Sequence, residues 1–155
     1  MDETTVTECV ARYLASRKWT IHSVHHPGAQ GGVRLRPTSA TGSRSKETLI
    51  PDIVASKQGV FLLVESKPRF DVRDVRKVQR AAQPAYVAGL AAALELAVHP
   101  SLVLPAVAFS GLPPAAVAPG VVLFIVSPAG HVEVAGAAEL LPGYRSSAGA
   151  RRDLP

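Results

Sequence analysis

Two short apolar runs with charges set into them constrain this chain more than any other feature. Residues 51–55 read Pro-Asp-Ile-Val-Ala, and residues 60–67 read Val-Phe-Leu-Leu-Val-Glu-Ser-Lys. Both are rich in branched apolar residues and are separated by Ser56-Lys57-Gln58-Gly59, so the pattern predicts two antiparallel strands joined by a tight turn. Charges inside otherwise buried strands are costly unless they are paired or bind a metal. Asp52, Glu65 and Lys67 therefore need partners.

Strand geometry states what those partners can be. Side chains alternate faces along a strand, so Glu65 and Lys67 share a face with Phe61 and Leu63. If the turn is the two-residue Gln58-Gly59, Lys57 pairs with Val60 and Asp52 falls opposite Glu65. A four-residue loop puts Asp52 opposite Leu63, still on that face, whereas a three-residue loop without a bulge turns Asp52 away. Opposed residues lie about 4.5–5.5 Å apart at Cβ. Two carboxylates at that spacing repel unless a cation lies between them. Oxygen-only ligands suit Mg²⁺ or Mn²⁺ rather than zinc. The competing reading is a buried Glu65–Lys67 salt bridge, with Asp52 capping a turn.

The rest of the chain fits one domain. Its 155 residues are 47% apolar, enough for a core and too few for two comfortable domains. A net charge of +5 favours an anionic partner. The single cysteine, Cys9, excludes an internal disulfide. With an acidic N-terminus and no apolar run of about 20 residues, the expectation is a cytoplasmic protein without a membrane segment or targeting signal.

Taken in order, residues 4–18 carry helical periodicity, with Thr5 and Glu8 placed for a capping box. Residues 19–24 read as a strand of imperfect alternation. Residues 25–48 form a long basic loop rich in Gly, Pro and Ser, which carries Arg34, Arg36, Arg44 and Lys46, with 33–36 available as a short strand. Loops beyond about 12–15 residues are uncommon and often functional or mobile, and this one suits either a disordered insertion that aids solubility or a flap over a phosphate backbone. A helix over 71–82 carries Lys77. It is broken by Pro84, just after Gln83, and followed by an alanine-rich helix over 85–98 that is apolar nearly all round and expected to be buried on more than one side. A buried strand over 102–109 and a hairpin over 121–134 complete a domain spanning 1–142, with 143–155 as a flexible tail. The adjacent His25 and His26 point to opposite faces of a strand and make a poor chelate.

Pro51-Asp52 followed by a hydrophobic strand, a short turn, a second hydrophobic strand and Glu65-Ser66-Lys67 resembles the active-site signature of the PD-(D/E)xK nuclease superfamily. The resemblance covers about residues 4–109 and implies an α/β fold of restriction-endonuclease-like type: an αβββαβ core with a central mixed sheet flanked by helices, here with an added C-terminal β-hairpin. It implies Asp52 and Glu65 as Mg²⁺ ligands, with the Ser66 carbonyl as a further one and Mn²⁺ able to substitute. Lys67 becomes the catalytic lysine, orienting water and phosphate. A glycine-rich loop before the PD strand is similar to archaeal Holliday-junction resolvases, and many members place an acid on the first helix. Glu8 therefore has two candidate roles, metal ligand or helix cap. Arg34, Arg36, Arg44, Lys46, Lys77 and Gln83 are the candidate DNA contacts. The implied activity is a Mg²⁺-dependent DNA endonuclease, working as a homodimer or within a larger complex. The alternatives are a catalytically silent nucleic-acid-binding subunit and an interaction module with a structural ion pair.

Overall fold

A computed structural model describes residues 1–29, 31–37 and 48–146. The element order is α1 (Glu3–Ser16), β1 (Thr20–Val24), β2 (Ile53–Lys57), β3 (Val60–Lys67), α2 (Val72–Ala81), α3 (Pro84–Ala93), β4 (Leu102–Ser110), β5 (Val122–Val126) and β6 (Val132–Gly136). The six strands form one mixed sheet in sequence order, β1-β2-β3-β4-β5-β6. Strand β2 runs antiparallel to both β1 and β3, β4 and β5 run parallel to β3, and β6 returns antiparallel to β5.

Helices cover both faces of the sheet, and the alternation of β3 shows how. Leu62 and Val64 pack beneath α1 with Val6, Val10 and Leu14. Phe61 and Leu63 face the other way, into a layer with Tyr86 and Leu90 of α3 and Leu35 of the long loop. Farther along that face, Val75 and Val78 of α2 pack on Val107 and Phe109 of β4. By parity Glu65 lies on the α2 side, at the end of β3 where the apolar layer stops.

The β2–β3 turn is the two-residue form. Lys57 pairs with Val60, and the register runs without a break to Ile53 and Val64. Gln58 and Gly59 both have positive φ, 53° and 79°, the conformation of the type I′ hairpin turn that matches strand twist. The ladder ends at Ile53 and Val64; Asp52, one step beyond it, donates its amide to the Val64 carbonyl rather than pairing with Glu65.

Several expectations are corrected. Asp2, not Thr5, caps α1: its Oδ1 accepts from the Thr5 amide at 2.8 Å, so the capping box is not formed. Asp ranks above Thr as an N-cap, and the helix starts earlier as a result. In β1 the alternation breaks because Ile21 pairs with Ala55 and Ser23 with Val54, leaving His22 as an extra residue. This bulge stacks His22 on Phe61 at 5.4 Å. The alanine-rich helix ends at Ala93, with only Tyr86 and Leu90 fully buried. It lies at the rim of its layer, so its outer side stays in water.

The two described ends of the long loop meet. Leu35 and Leu49 exchange backbone hydrogen bonds of 2.8 and 2.9 Å, and Leu35 is completely buried. The backbone of Arg36 crosses so close over Gly89 of α3 that a Cβ there would strike the Arg36 carbonyl oxygen. Gly89→Ala is therefore expected to destabilise the fold by about 1–3 kcal/mol, despite alanine's better helix propensity. A urea midpoint equal to or above wild type would contradict that crossing.

Candidate functional site

The site lies where β3 ends, β2 begins and α1 starts. Three backbone contacts fix Asp52 there. Its amide donates to the Val64 carbonyl at 2.9 Å, and its carbonyl accepts from the His25 amide at 2.7 Å. Its side-chain Oδ2 accepts from the Ser66 amide at 2.7 Å. The aspartate is thus clamped between β1 and β3 with one oxygen already satisfied. Pro51 lacks an N–H to donate at the mouth of the strand, and Pro68 ends β3 on the other side.

Asp52 and Glu65 are only 5% and 4% exposed, yet both line a cavity of about 340 Å³ with Glu3, His25 and Lys77. Lys77 Nζ donates to both Glu65 oxygens at 2.7 Å. Lys67 does not line this cavity. Its Nζ donates to Glu3 Oε2 at 3.0 Å. The Glu65–Lys67 bridge of the competing reading does not form, and the two lysines have divided the acids: Lys77 serves Glu65 and Lys67 serves Glu3.

Glu8 is exposed and stands outside the cavity. At about 100° per residue, five positions place it roughly 140° around the helix from Glu3. The acid that α1 brings to the site is Glu3. It could have been found from the sequence by starting the helix at Asp2. Asp74 of α2 is a second acid that the sequence reading passed over. It is buried, and its Oδ2 has no hydrogen-bond partner. Lying one turn before Lys77, it shares that residue's helix face. Among the other expected contacts, Arg34 and Arg36 are exposed on either side of buried Leu35, and Gln83 is exposed at the α2–α3 break. Arg44 and Lys46 fall outside the described residues, as does the tail beyond 146.

Burial dominates the electrostatics. It raises Asp52 above the usual carboxylate range, against the Ser66 amide and the charges of Lys77 and Lys67, with Glu3 adding to the rise. Burial, then the charge of Asp52, pushes Glu65 up to about 7 in spite of its bonds from Lys77. Asp74 is raised by burial as well. Partial burial pulls the Lys67 ammonium down, but the hydrogen bond and charge of Glu3, with Glu65 and Asp74 beyond, raise it overall.

The sign of the pH dependence follows. Between its ordinary value of 4.5 and about 7, Glu65 holds its proton more tightly folded than unfolded. Stability therefore falls as pH rises through that window and levels off above it. Urea midpoints measured in EDTA at pH 5 and pH 8 should show the drop, and Glu65→Gln should flatten it. An equal slope in the variant would assign the effect elsewhere.

The chain matches no family model, no curated protein and no solved structure. The site must be read from its own chemistry. Among the described residues no three His, Cys, Asp or Glu side chains stand close enough to chelate an ion by themselves. Two buried carboxylates of raised pKa, facing one cavity with the Lys77 ammonium bonded to one of them, do fit Mg²⁺. That ion keeps several waters and takes one or two carboxylates plus phosphate oxygens. Zinc is a poor fit, since neither thiolate nor a pair of histidines is present. Among the described residues no helix is long and apolar enough to cross a membrane.

Proposed function

We propose that this chain is a Mg²⁺-dependent DNA endonuclease. The observation that carries the reading is the convergence of Asp52 and Glu65 in one cavity, at the end of two strands joined by a two-residue turn. Further support comes from the antiparallel β1-β2-β3 unit with β4 parallel to β3, the strand arrangement expected of a restriction-endonuclease-like core, and from the net charge of +5.

Asp52 and Glu65 are the residues that would hold the ion. When bound, Mg²⁺ or Mn²⁺ supplies a Lewis acid for the phosphoryl oxygen and lowers the pKa of a water. The chain does the remainder. The Ser66 amide aims one Asp52 oxygen and leaves the other available. Lys77 compensates the charge of Glu65. Lys67, held at the rim by Glu3, places an ammonium for phosphate charge. Arg34 and Arg36, both exposed, are the described basic residues of the long loop that would meet phosphates.

The second reading is a silent nucleic-acid-binding subunit of a larger complex. The Lys77–Glu65 and Lys67–Glu3 pairs favour it, since both signature charges already have partners. A cleavage screen separates the two. Supercoiled plasmid, Holliday junction, flap, single-stranded DNA and RNA are incubated with the protein in Mg²⁺ or in EDTA. The endonuclease reading expects Mg²⁺-dependent cuts in at least one DNA, weakened in Lys67→Ala. Retention of DNA with no cutting at any metal concentration would select the silent binder.

A further inference from the structure

A second cavity lies at the other end of α1 from Glu3. The helix has 14 residues, so its two ends stand about 20 Å apart. This cavity measures about 150 Å³, and a void of roughly that size takes up a single aromatic ring. Its walls carry three rings, Tyr13, Trp19 and Tyr144, and three cations, Arg17, Lys57 and Arg145, with no carboxylate among them.

Among the described residues no acid is paired with these cations; the ion pairs are Lys67–Glu3, Arg73–Asp71 and Lys77–Glu65. Lys57 Nζ donates to the Arg17 carbonyl at 2.7 Å, and the Arg17 guanidinium lies over the Tyr13 ring at 5.2 Å. A helix C-terminus favours one nearby cation. It does not account for three gathered round an aromatic hollow. A ligand that is flat and apolar on one side and anionic on the other would answer both halves of the wall. Base stacking on aromatic side chains tolerates any base, and charge-assisted bonds from Arg and Lys suit phosphate.

We propose that this cavity is a nucleotide site, taking one base among Tyr13, Trp19 and Tyr144 and its phosphate on Arg17, Lys57 and Arg145. The nucleotide comes either free or as an unpaired residue of a strand. The site goes beyond the endonuclease reading and does not rest on it.

Trp19 is the only tryptophan in the sequence and is 7% exposed in the cavity wall, so its emission reports on occupancy. The whole chain is titrated in EDTA with AMP, a four-residue deoxyadenylate, adenosine and inorganic phosphate, with correction for absorption by adenine. The expected result is saturable quenching by AMP, by the oligonucleotide or by both. Which of the two binds more tightly identifies the source. Adenosine and phosphate should each bind at least about tenfold more weakly than the better of these, and Arg145→Ala should weaken binding about tenfold. Arg145 is exposed, so this variant keeps the fold; Lys57→Gln is the second. Glu65→Gln should leave the affinity unchanged, which separates this site from the carboxylate cavity. The proposal is overturned by no saturable change with AMP or oligonucleotide, by phosphate binding as tightly as AMP, or by unchanged affinity in both Arg145→Ala and Lys57→Gln.

Discussion

Glu65→Gln is expected to lose Mg²⁺-dependent cleavage by on the order of 10³-fold while melting at the same temperature as wild type, or higher, at pH 8 in EDTA. The two effects have one cause. Glu65 is 4% exposed, and burial with the nearby charge of Asp52 pushes it up to about 7. Its negative charge is thus an unfavourable feature of the metal-free fold. Glutamine keeps the shape and an acceptor oxygen for Lys77 but removes that charge, so the fold is relieved and the ion loses an anionic ligand. The size of the activity loss follows from removing an electrostatic element that acts in the transition state. Asp52→Asn should behave in the same way. It keeps an oxygen for the Ser66 amide, whereas Asp52→Ala leaves that buried N–H unpaired and costs about 1–3 kcal/mol. A plasmid time course beside a melting curve checks both halves. A Glu65→Gln protein that melts well below wild type would mark the carboxylate as structural.

Lys77→Met is expected to destabilise the fold by about 1–2 kcal/mol at pH 8, because Glu65 without its partner takes a proton, which one pH unit above its value of about 7 costs about 1.4 kcal/mol. Lys77 Nζ donates to both Glu65 oxygens at 2.7 Å, and among the described residues no other cation bonds them. Methionine retains most of the stem packing, so the loss reports mainly on charge. At pH 5, where Glu65 can take a proton at little cost, the difference should shrink by more than half, and Lys77→Met combined with Glu65→Gln should recover most of it. Urea unfolding at the two pH values measures this. A loss of equal size at both would place the contribution of Lys77 in packing rather than in its pair with Glu65.

The parts of the fold fixed by neighbouring residues were legible in the sequence. The even length of the β2–β3 turn and the ends imposed by Pro68 and Pro84 are local chemistry; two- and four-residue loops both satisfied the sequence, and the ladder takes the first. The site was legible only in its carboxylates. Placing the N-cap of α1 at Thr5, three residues after Asp2, was enough to turn attention to Glu8 in place of Glu3. Lysine partners were not legible at all. A flexible four-carbon stem reaches acids that are 12 and 64 positions away in the chain, as Lys77 and Lys67 do. The exposure of α3 was hidden for another reason: an alanine-rich helix looks the same from every side until the layer beneath it is known. The bulge at His22 left only an imperfect alternation as its trace.

The most direct test of the carboxylate pair as a cation site is anomalous diffraction from a crystal of the whole chain soaked in Mn²⁺. The account predicts an anomalous peak between Asp52 and Glu65, with the Lys77 ammonium drawn away from at least one Glu65 oxygen, and no peak there in Glu65→Gln. A crystal saturated with Mn²⁺ that shows no peak at that position, with Lys77 still bonded to both oxygens, would contradict it.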